Sequence, residues 1–515
     1  MSASISPKLH KASLFSTAGL ILGPSSALAI MLFGNLAPEN PAVTNTLAIA
    51  AFMAIWWITE AVPLAVTSLL PVALFPIFGI MDGKAVASTY FNHIIFLFIG
   101  GFIIALAMQK WDLHKRIALR IMMLTGTSPS RILLGFMLAT AFLSMWISNT
   151  ATAMMMIPIV ISIIGELEFR IGKSEIRKYS LGLLLGIAYS ASIGGVATLV
   201  GTPPNLSFAR IFQIYFPEAP EISFAQWFIF AIPLTIVLFL ITWVYLQVLF
   251  RPDKKNWKYL SPTTFKEHYK TLGRKTYEEK VVLTAFISVA VLWLTRADIQ
   301  AGPVLIPGWS GWLNQPEYIN DGTVAIFIAI LLFVFPAGKQ SNGRIMDWET
   351  ARQLPWSIVL LFGGGFALAS GFKESELSLW FGNQLKWVGG MNPLIVIFCI
   401  SIMVTFLTEL TSNTATTEML LPVLAGLAVS IEINPLFLMI PATLSASMAF
   451  MLPVATPPNA IIFGTGKIRI PEMARAGLVL NFIGAIIVTL AVYFIGYLVF
   501  DIDLNVFPEW ARITG

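Results

Sequence analysis

"SNTATA" at 148–153 and "TSNTATT" at 411–417 place the same small polar cluster inside two of the most apolar runs of the chain. Polar side chains are costly in such surroundings unless each finds a partner, so a cluster that recurs needs a common explanation. Of the 515 residues 57% are hydrophobic and 11% charged, and the mean hydropathy is +0.79. That composition lies outside the range of soluble globular domains and points to an integral membrane protein. Apolar windows near the roughly 20 residues that cross a hydrocarbon core recur along the whole chain and leave no room for a large soluble domain. The first window, 14–34, follows "KLHK" but is long, lacks a convincing cleavage site and is followed by many more, so it reads as a transmembrane helix rather than a signal peptide.

A single cysteine, Cys399, excludes an intrachain disulfide framework, and the scattered His10, His93, His114 and His268 give no metal-ligand spacing. The net charge of +5 reads as basic cytoplasmic loops rather than a nucleic-acid surface.

Windows broken by Pro, Gly and charge predict eleven crossings, near 14–34, 43–60, 62–80, 90–109, 180–213, 222–250, 280–297, 321–337, 354–372, 436–465 and 473–500. Two further stretches, 132–164 and 393–430, are too long for one helix. The first lies between "KWDLHKRIALR" (110–120) and "EFRIGKSEIRK" (168–178), so both of its ends are cytoplasmic under the positive-inside rule. Its 33 residues must include a turn, leaving about 15 per arm, too few for two spans. It is therefore expected to be a re-entrant hairpin. With this assignment the inside loops carry 26 of the 32 Lys and Arg, nine of them within 251–280, which puts the amino terminus inside and the carboxyl terminus outside.

The assignment of 393–430 rests on an internal repeat. "IGGFIIALA" (99–107) aligns with "GGGFALASG" (363–371) at an offset of 264, and "SNTAT" at 148 recurs at 412 with the same offset. "GTPPN" (201–205) answers "ATPPN" (455–459) at an offset of 254, the ten-residue difference falling in the charged connection after the first hairpin. Each half thus holds a glycine-rich span, a polar-tipped hairpin and a span interrupted at Thr-Pro-Pro-Asn. An odd number of crossings separates the matches, so the halves are inverted in the membrane. The expected fold is an all-α membrane protein of eleven transmembrane helices and two re-entrant hairpins in two inverted repeats. Inverted repeats with helices broken at matched places are the signature of secondary transporters, whose sites lie near the midplane.

The breaks carry specific chemistry. In Thr202-Pro203-Pro204-Asn205 and Thr456-Pro457-Pro458-Asn459 two prolines remove two backbone donors and push the preceding residue out of helical geometry. The first half-helix ends in free carbonyls near Gly201, and the second begins with proline and directs its positive dipole end at the gap. At the hairpin tips Ser, Asn and Thr can cap the helices beginning "ATAMMM" and "ATTEML", where backbone donors and amides suit a carboxylate and leftover oxygens suit a hard cation. Residues 144–160, 194–208, 405–420 and 450–464 contain no Lys, Arg or His, so a dianion held there must arrive with a mobile cation, and Na+ fits neutral oxygens. Glu409 and Glu418 flank the second tip without counterparts at the first. They are read as structural, paired or facing a cavity, rather than as proton carriers.

At these residues the sequence resembles the divalent anion:sodium symporter family, the INDY-type Na+/dicarboxylate transporters. The resemblance covers nearly the whole chain through "WWITEAVPLAVTSLLP" (56–71), "IAYSASIGGVATLVGTPPN" (187–205), both SNT tips and "MLPVATPPNAIIFGTG" (451–466). It implies a homodimer formed by scaffold domains and an elevator-like movement of a transport domain. On this sequence that division gives scaffold helices at 1–125, the first hairpin and broken helix at 126–221, the sixth crossing and a basic cytoplasmic loop at 222–279, scaffold helices at 280–389, and the second hairpin, broken helix and last crossing at 390–515. The family pattern implies one Na+ at Ser144, Ser148, Asn149 and Gly201 and another at Thr408, Ser412, Asn413 and Ala455. It implies substrate carboxylates at Asn149, Thr150, Thr202, Pro203, Asn413, Thr414, Thr456 and Pro457.

The expected activity is Na+-coupled import of a C4-dicarboxylate such as succinate, malate or fumarate across the plasma (inner) membrane. A sodium-independent exchanger, or a Na+-coupled citrate or sulfate carrier, shares the fold. The basic side chains that replace cations in the family's exchangers are absent here, which favours the symporter. No nucleophile, base and orienter constellation marks an enzyme, and matched broken repeats suit alternating access better than a channel.

Overall fold

The computed structural model describes residues 14–251, 263–301, 304–338, 343–500, 502 and 506–512. The amino-terminal segment with His10, whose side of the membrane the charge rule assigns, and residues 252–262 of the basic loop lie outside the described residues.

The first half runs through α1 (Leu14–Phe33), α2 (Pro41–Thr59), α3 (Leu64–Thr67), α4 (Leu70–Ile77), α5 (Gly83–Ser88), α6 (His93–Lys110), α7 (Leu113–Thr125), α8 (Pro129–Ser144), α9 (Asn149–Ile171), α10 (Lys173–Val196), α11 (Pro203–Tyr215) and α12 (Phe224–Leu249). The second continues with α13 (Thr263–Thr271), α14 (Tyr277–Leu294), α15 (Asp321–Val334), α16 (Trp348–Ala351), α17 (Trp356–Glu374), α18 (Leu377–Gln384), α19 (Pro393–Thr408), α20 (Asn413–Ser430), α21 (Leu436–Ser445), α22 (Pro457–Phe463) and α23 (Ile470–Phe500). A two-stranded antiparallel ribbon, Ile299–Ala301 with Val304–Ile306, is the one departure from an all-helical chain among the described residues.

Among the described residues, eight helices are long and apolar enough to cross a membrane. Several expected crossings take a different form. The window 62–80 is divided into α3 and α4. Its prolines at 63, 71 and 76 each withhold a backbone donor. The window 321–337 yields the 14-residue α15, and 436–465 yields α21 and α22 flanking a non-helical segment. The first hairpin is also larger than 132–164. Its second arm, α9, runs 23 residues, because Glu166, Leu167, Glu168 and Arg170 are good helix formers, Glu166 and Arg170 pair at 2.7 Å, and the helix stops only at Gly172 with φ of 109°. The arms of the second hairpin coincide with the expected bounds 393–430.

The two halves match element by element. Helices α6 and α17, α8 and α19, and α9 and α20 correspond at the offset of 264. So do α7, in the charged stretch before the first hairpin, and α18, neither of them among the expected crossings. Each follows a non-glycine residue in the left-handed region, Asp112 with φ of 54° and Glu376 with φ of 64°.

Polarity is distributed inside out. Phe15, Ile21, Leu32, Ile236, Val248, Phe327 and Phe494 are exposed as a lipid-facing belt would be, while Ser144, Thr198, Asn205, Thr408, Glu409, Glu418 and Asn459 are buried. Helix α10 is buried along its apolar window and packs against α8, α9, α12 and α22, so it forms the axis of the site. Ion pairs that join the halves at one end include Glu168 on α9 with Lys467 at 2.6 Å and Arg177 on α10 with Glu472 on α23 at 2.7 Å. At the other end Arg296 holds Asp321 at 2.6 Å and Glu221 at 3.1 Å, and Asp321 also accepts the Phe224 amide, linking α12, α14 and α15.

Candidate functional site

At the first tip α8 stops at Ser144 and α9 restarts at Asn149. Ser148 adopts an extended N-cap conformation, and its hydroxyl accepts the Ala151 N–H at 3.2 Å, as expected for a cap. The buried Ser144 hydroxyl donates to the Ala191 carbonyl at 2.8 Å and also contacts Asn149 Oδ1. A Cβ added to Gly195 would lie 2.7 Å from Asn149 Oδ1 and 3.0 Å from the Gly201 carbonyl oxygen. The lack of a side chain at Gly195 therefore lets a hydroxyl, an amide oxygen and a backbone carbonyl converge. Ser144, Asn149 and Gly201, assigned to one cation from sequence, are brought together here.

The first break is organised by Asn205. Between α10 and α11 the chain leaves helical geometry, Thr202 is extended, and Pro203 and Pro204 start the next helix. The Asn205 side-chain amide donates to the carbonyls of Val196 at 3.2 Å and Thr198 at 2.8 Å, which satisfies acceptors the break would otherwise orphan. The Thr198 hydroxyl donates to the Met145 carbonyl at 2.5 Å and pins the unwound segment to the hairpin.

The second half repeats the pattern. Thr408 donates to the Ala446 carbonyl at 2.9 Å and to Asn413 Oδ1 at 2.7 Å. Asn459 donates to the carbonyls of Ala449 at 3.1 Å and Leu452 at 3.0 Å, and the Thr456 hydroxyl accepts the Asn459 N–H at 3.3 Å. The Oδ1 atoms of Asn205 and Asn459 are both buried without a hydrogen-bond partner. Sequence reasoning did not assign these asparagines to the site, although the third letter of each PPN carried the signal.

The halves differ in three respects. Ser412 is extended like Ser148, but its hydroxyl makes no cap; Thr411 and Thr416 instead bond each other at 2.5 Å. Ala449 occupies the position equivalent to Gly195, so the buried Ala455 has no niche like that beside Gly201. Finally, Glu409 stands where the first half has Met145. It accepts the backbone N–H groups of Phe450 at 2.7 Å, Met451 at 2.8 Å and Leu452 at 2.9 Å, and the Asn481 amide at 2.8 Å. That carboxylate is structural, as its sequence position suggested.

The two breaks face each other: Thr202 Oγ1 and Ser447 Oγ are 3.5 Å apart, the Tyr189 ring meets Phe450 edge-on at 5.1 Å, and α22 packs on α9 and α10. Thr202 and Thr456 are buried, Pro203 is half-buried and Pro457 exposed, and no hydrogen bond among the described residues engages the hydroxyls of Thr150 or Thr414. A cavity lined by Gln109, His114, Ile147, Ala151, Thr152, Met154 and Met155 opens beside the first tip.

Among the described residues no ion pair involves any residue of the four tip and break segments. The charge-selective features are dipolar: the N-terminal ends of α9 and α20, hydroxyls, amides and unwound carbonyls. Such groups hold an anion and a hard cation together without a fixed countercharge. A lipid-facing helical body with two matched broken helices around a polar centre defines a multi-pass membrane transporter.

Residues 24–502 match the family described as the sodium:sulfate symporter transmembrane region. The chain is 47% identical over 496 residues to the sodium-dependent dicarboxylate transporter SdcS of Staphylococcus saprophyticus, covering 95% of this chain and 92% of that one. It is 48% identical over 495 residues, with the same coverage, to SdcS of Staphylococcus aureus. A solved structure, the YdaH transporter of Alcanivorax borkumensis, is similar with a TM-score of 0.55 over 80% of this chain and 86% of that one at 12% identity, a likeness of fold alone. The chain belongs to the sodium:sulfate symporter family and is an integral membrane transporter, not an enzyme.

Proposed function

We propose that the protein is a Na+-coupled symporter that imports C4-dicarboxylates such as succinate, malate or fumarate. The observation that carries this reading is the duplicated tip without basic side chains: the oxygens of Ser144, Asn149 and Gly201 converge, Thr408 and Asn413 repeat the motif, and among the described residues no basic side chain pairs with any of these segments. A dianion entering such a site brings neutralising cations with it. The dicarboxylate preference is supported by the sodium-dependent dicarboxylate transporters to which the chain is similar.

In this reading Ser148 and Ser412 complete the two cation sites with Gly201 and Ala455. Asn149, Thr150, Asn413 and Thr414 meet the carboxylates with Thr202, Pro203, Thr456 and Pro457. The free hydroxyls of Thr150 and Thr414 and the uncapped Ser412 have the spare hydrogen-bonding capacity this requires. The transport-domain segments at 126–221 and 390–515 move as an elevator against scaffold helices at 1–125 and 280–389 of a homodimer in the plasma membrane, with the amino terminus inside and the carboxyl terminus outside.

Reconstitution in liposomes tests the reading: labelled succinate accumulates under an inward Na+ gradient, and Asn149→Ala and Asn413→Ala abolish accumulation. Uptake indifferent to the gradient, or stimulated only by internal substrate, refutes symport.

A further inference from the structure

Glu418 is the buried ionisable group that the proposed site does not use. It lies on α20, five residues beyond Asn413, fully buried. Its Oε1 accepts the Ser207 hydroxyl of α11 at 3.0 Å, and its Oε2 is buried with no hydrogen-bond partner. Helix α17 makes room for it: a Cβ on Gly365, the last glycine of "GGGF", would overlap the Glu418 carboxylate. The equivalent position in the first half is Met154, which is exposed.

Glu409 shows what a buried carboxylate ion needs, with four donors on its two oxygens. Among the described residues Glu418 has one donor and no cation within ion-pairing distance. The charged and titratable groups on the elements around it are committed elsewhere. Tyr90 donates to the Ser68 carbonyl at 2.5 Å, Lys373 on α17 to the Ile214 carbonyl at 2.6 Å, and Arg210 on α11 through Nη1 to Gln213 at 3.0 Å, its buried Nε being unpartnered and forming no ion pair with Glu418. Glu60, Glu374 and Glu376, at the ends of α2, α17 and α18, are exposed. A carboxylate left in this niche as an ion would lack the stabilisation its burial demands. A metal cation would need about six oxygens, whereas a proton needs one lone pair.

We propose that Glu418 is a proton site, neutral while α20 and α11 pack on α17 and exchanging its proton with water when they separate. Uptake forms one O–H bond on the carboxylate as hydronium gives up its proton, and release reverses the step. The inference rests on the elevator reading, in which α20 and α11 travel and α17 stays, so the carboxyl must hold a proton each time the packed state forms.

The test combines infrared spectroscopy of the purified protein with transport. The wild type shows a protonated-carboxyl C=O band at neutral pH that Glu418→Gln removes and Ser207→Ala shifts; the Ser207→Ala shift assigns the band even if the glutamine variant does not fold. In vesicles, sodium-driven succinate uptake by the wild type falls as pH is raised through the titration of that band, whereas uptake by Glu418→Gln does not. Absence of the band, a band unmoved by both substitutions, or a fall with pH that persists in Glu418→Gln overturns the proposal. A protein that shows the titrating band but carries no succinate refutes the dicarboxylate symporter and leaves the proton-binding site standing.

Discussion

Replacing Glu409 by glutamine tests how the proposed second cation site is held. In the wild type Oε1 receives the Phe450 and Met451 amides and the Asn481 side chain, and Oε2 receives the Leu452 amide. Glutamine can place its oxygen at the Oε1 position and keep three neutral bonds, but its NH2 then faces the Leu452 N–H, donor against donor. A buried donor left unpaired costs about 1–3 kcal/mol, and the surviving bonds lose their charge assistance. These bonds fix the unwound segment that leads to Ala455 onto the hairpin carrying Thr408, so the loss falls on the proposed cation site. At about 1.4 kcal/mol per tenfold, the Na+ concentration for half-maximal uptake rises by about 5- to 150-fold. Sodium titration of succinate uptake in proteoliposomes measures it, with thermal unfolding in detergent as a second readout. Met145→Leu is the control, because the equivalent link in the first half runs through the Met145 backbone carbonyl, which the substitution keeps. An unchanged sodium dependence together with unchanged thermal stability in Glu409→Gln would refute this account of Glu409.

Asn205→Asp and Asn459→Asp each remove the donors that gather two break carbonyls, and each lowers uptake at least tenfold, since about 1–3 kcal/mol is lost per orphaned group; uptake assays with a surface-expression control check this. Gly194→Ala forces a Cβ into the Ala141 backbone where α10 crosses α8, and folded protein recovered by size-exclusion chromatography falls severalfold. The Lys110 ammonium, hydrogen-bonded to Asp347, holds that carboxyl down to about 2 from its ordinary 3.8. Because the folded-state value is the lower one, the tether between α6 and the α15–α16 connection stabilises the protein above about pH 4 and is lost as pH falls toward about 2. Acid titration of thermal unfolding shows this component, and Lys110→Met removes it.

The duplicated SNT and PPN motifs were legible because chemistry forced them to be: prolines cannot continue a helix, and polar clusters in apolar runs must face one another or a ligand. Ser144 and Thr408, each four residues before its SNT, came from the family resemblance instead. What escaped was set by packing. Helix α7 places Leu113, Ala118, Leu119 and Met122 on a buried face yet carries enough charge to read as a loop, and its buried Arg116 is matched to Glu279 at 3.0 Å only through the tertiary fold. The true length of α9 was hidden because its end continues as a charged helix beyond the apolar window. Glu409 and Glu418 are nine residues apart and looked alike in sequence. One turned toward a loop full of free amides and the other toward a glycine niche, a difference that belongs to neighbouring helices rather than to either residue.

The extended tail of α9 gives the first hairpin a lever. Its far end is fastened through Glu168 to Lys467, just beyond the second broken helix, and Arg177 fastens the start of α10 to Glu472 at the head of α23. A displacement of one tip is thereby delivered across the repeat boundary to the other, and two broken helices encoded some 250 residues apart act as one mechanical part. Both couplings are partly exposed ion pairs, so the stiffness of that part is tuned by ionic strength on a single face of the protein.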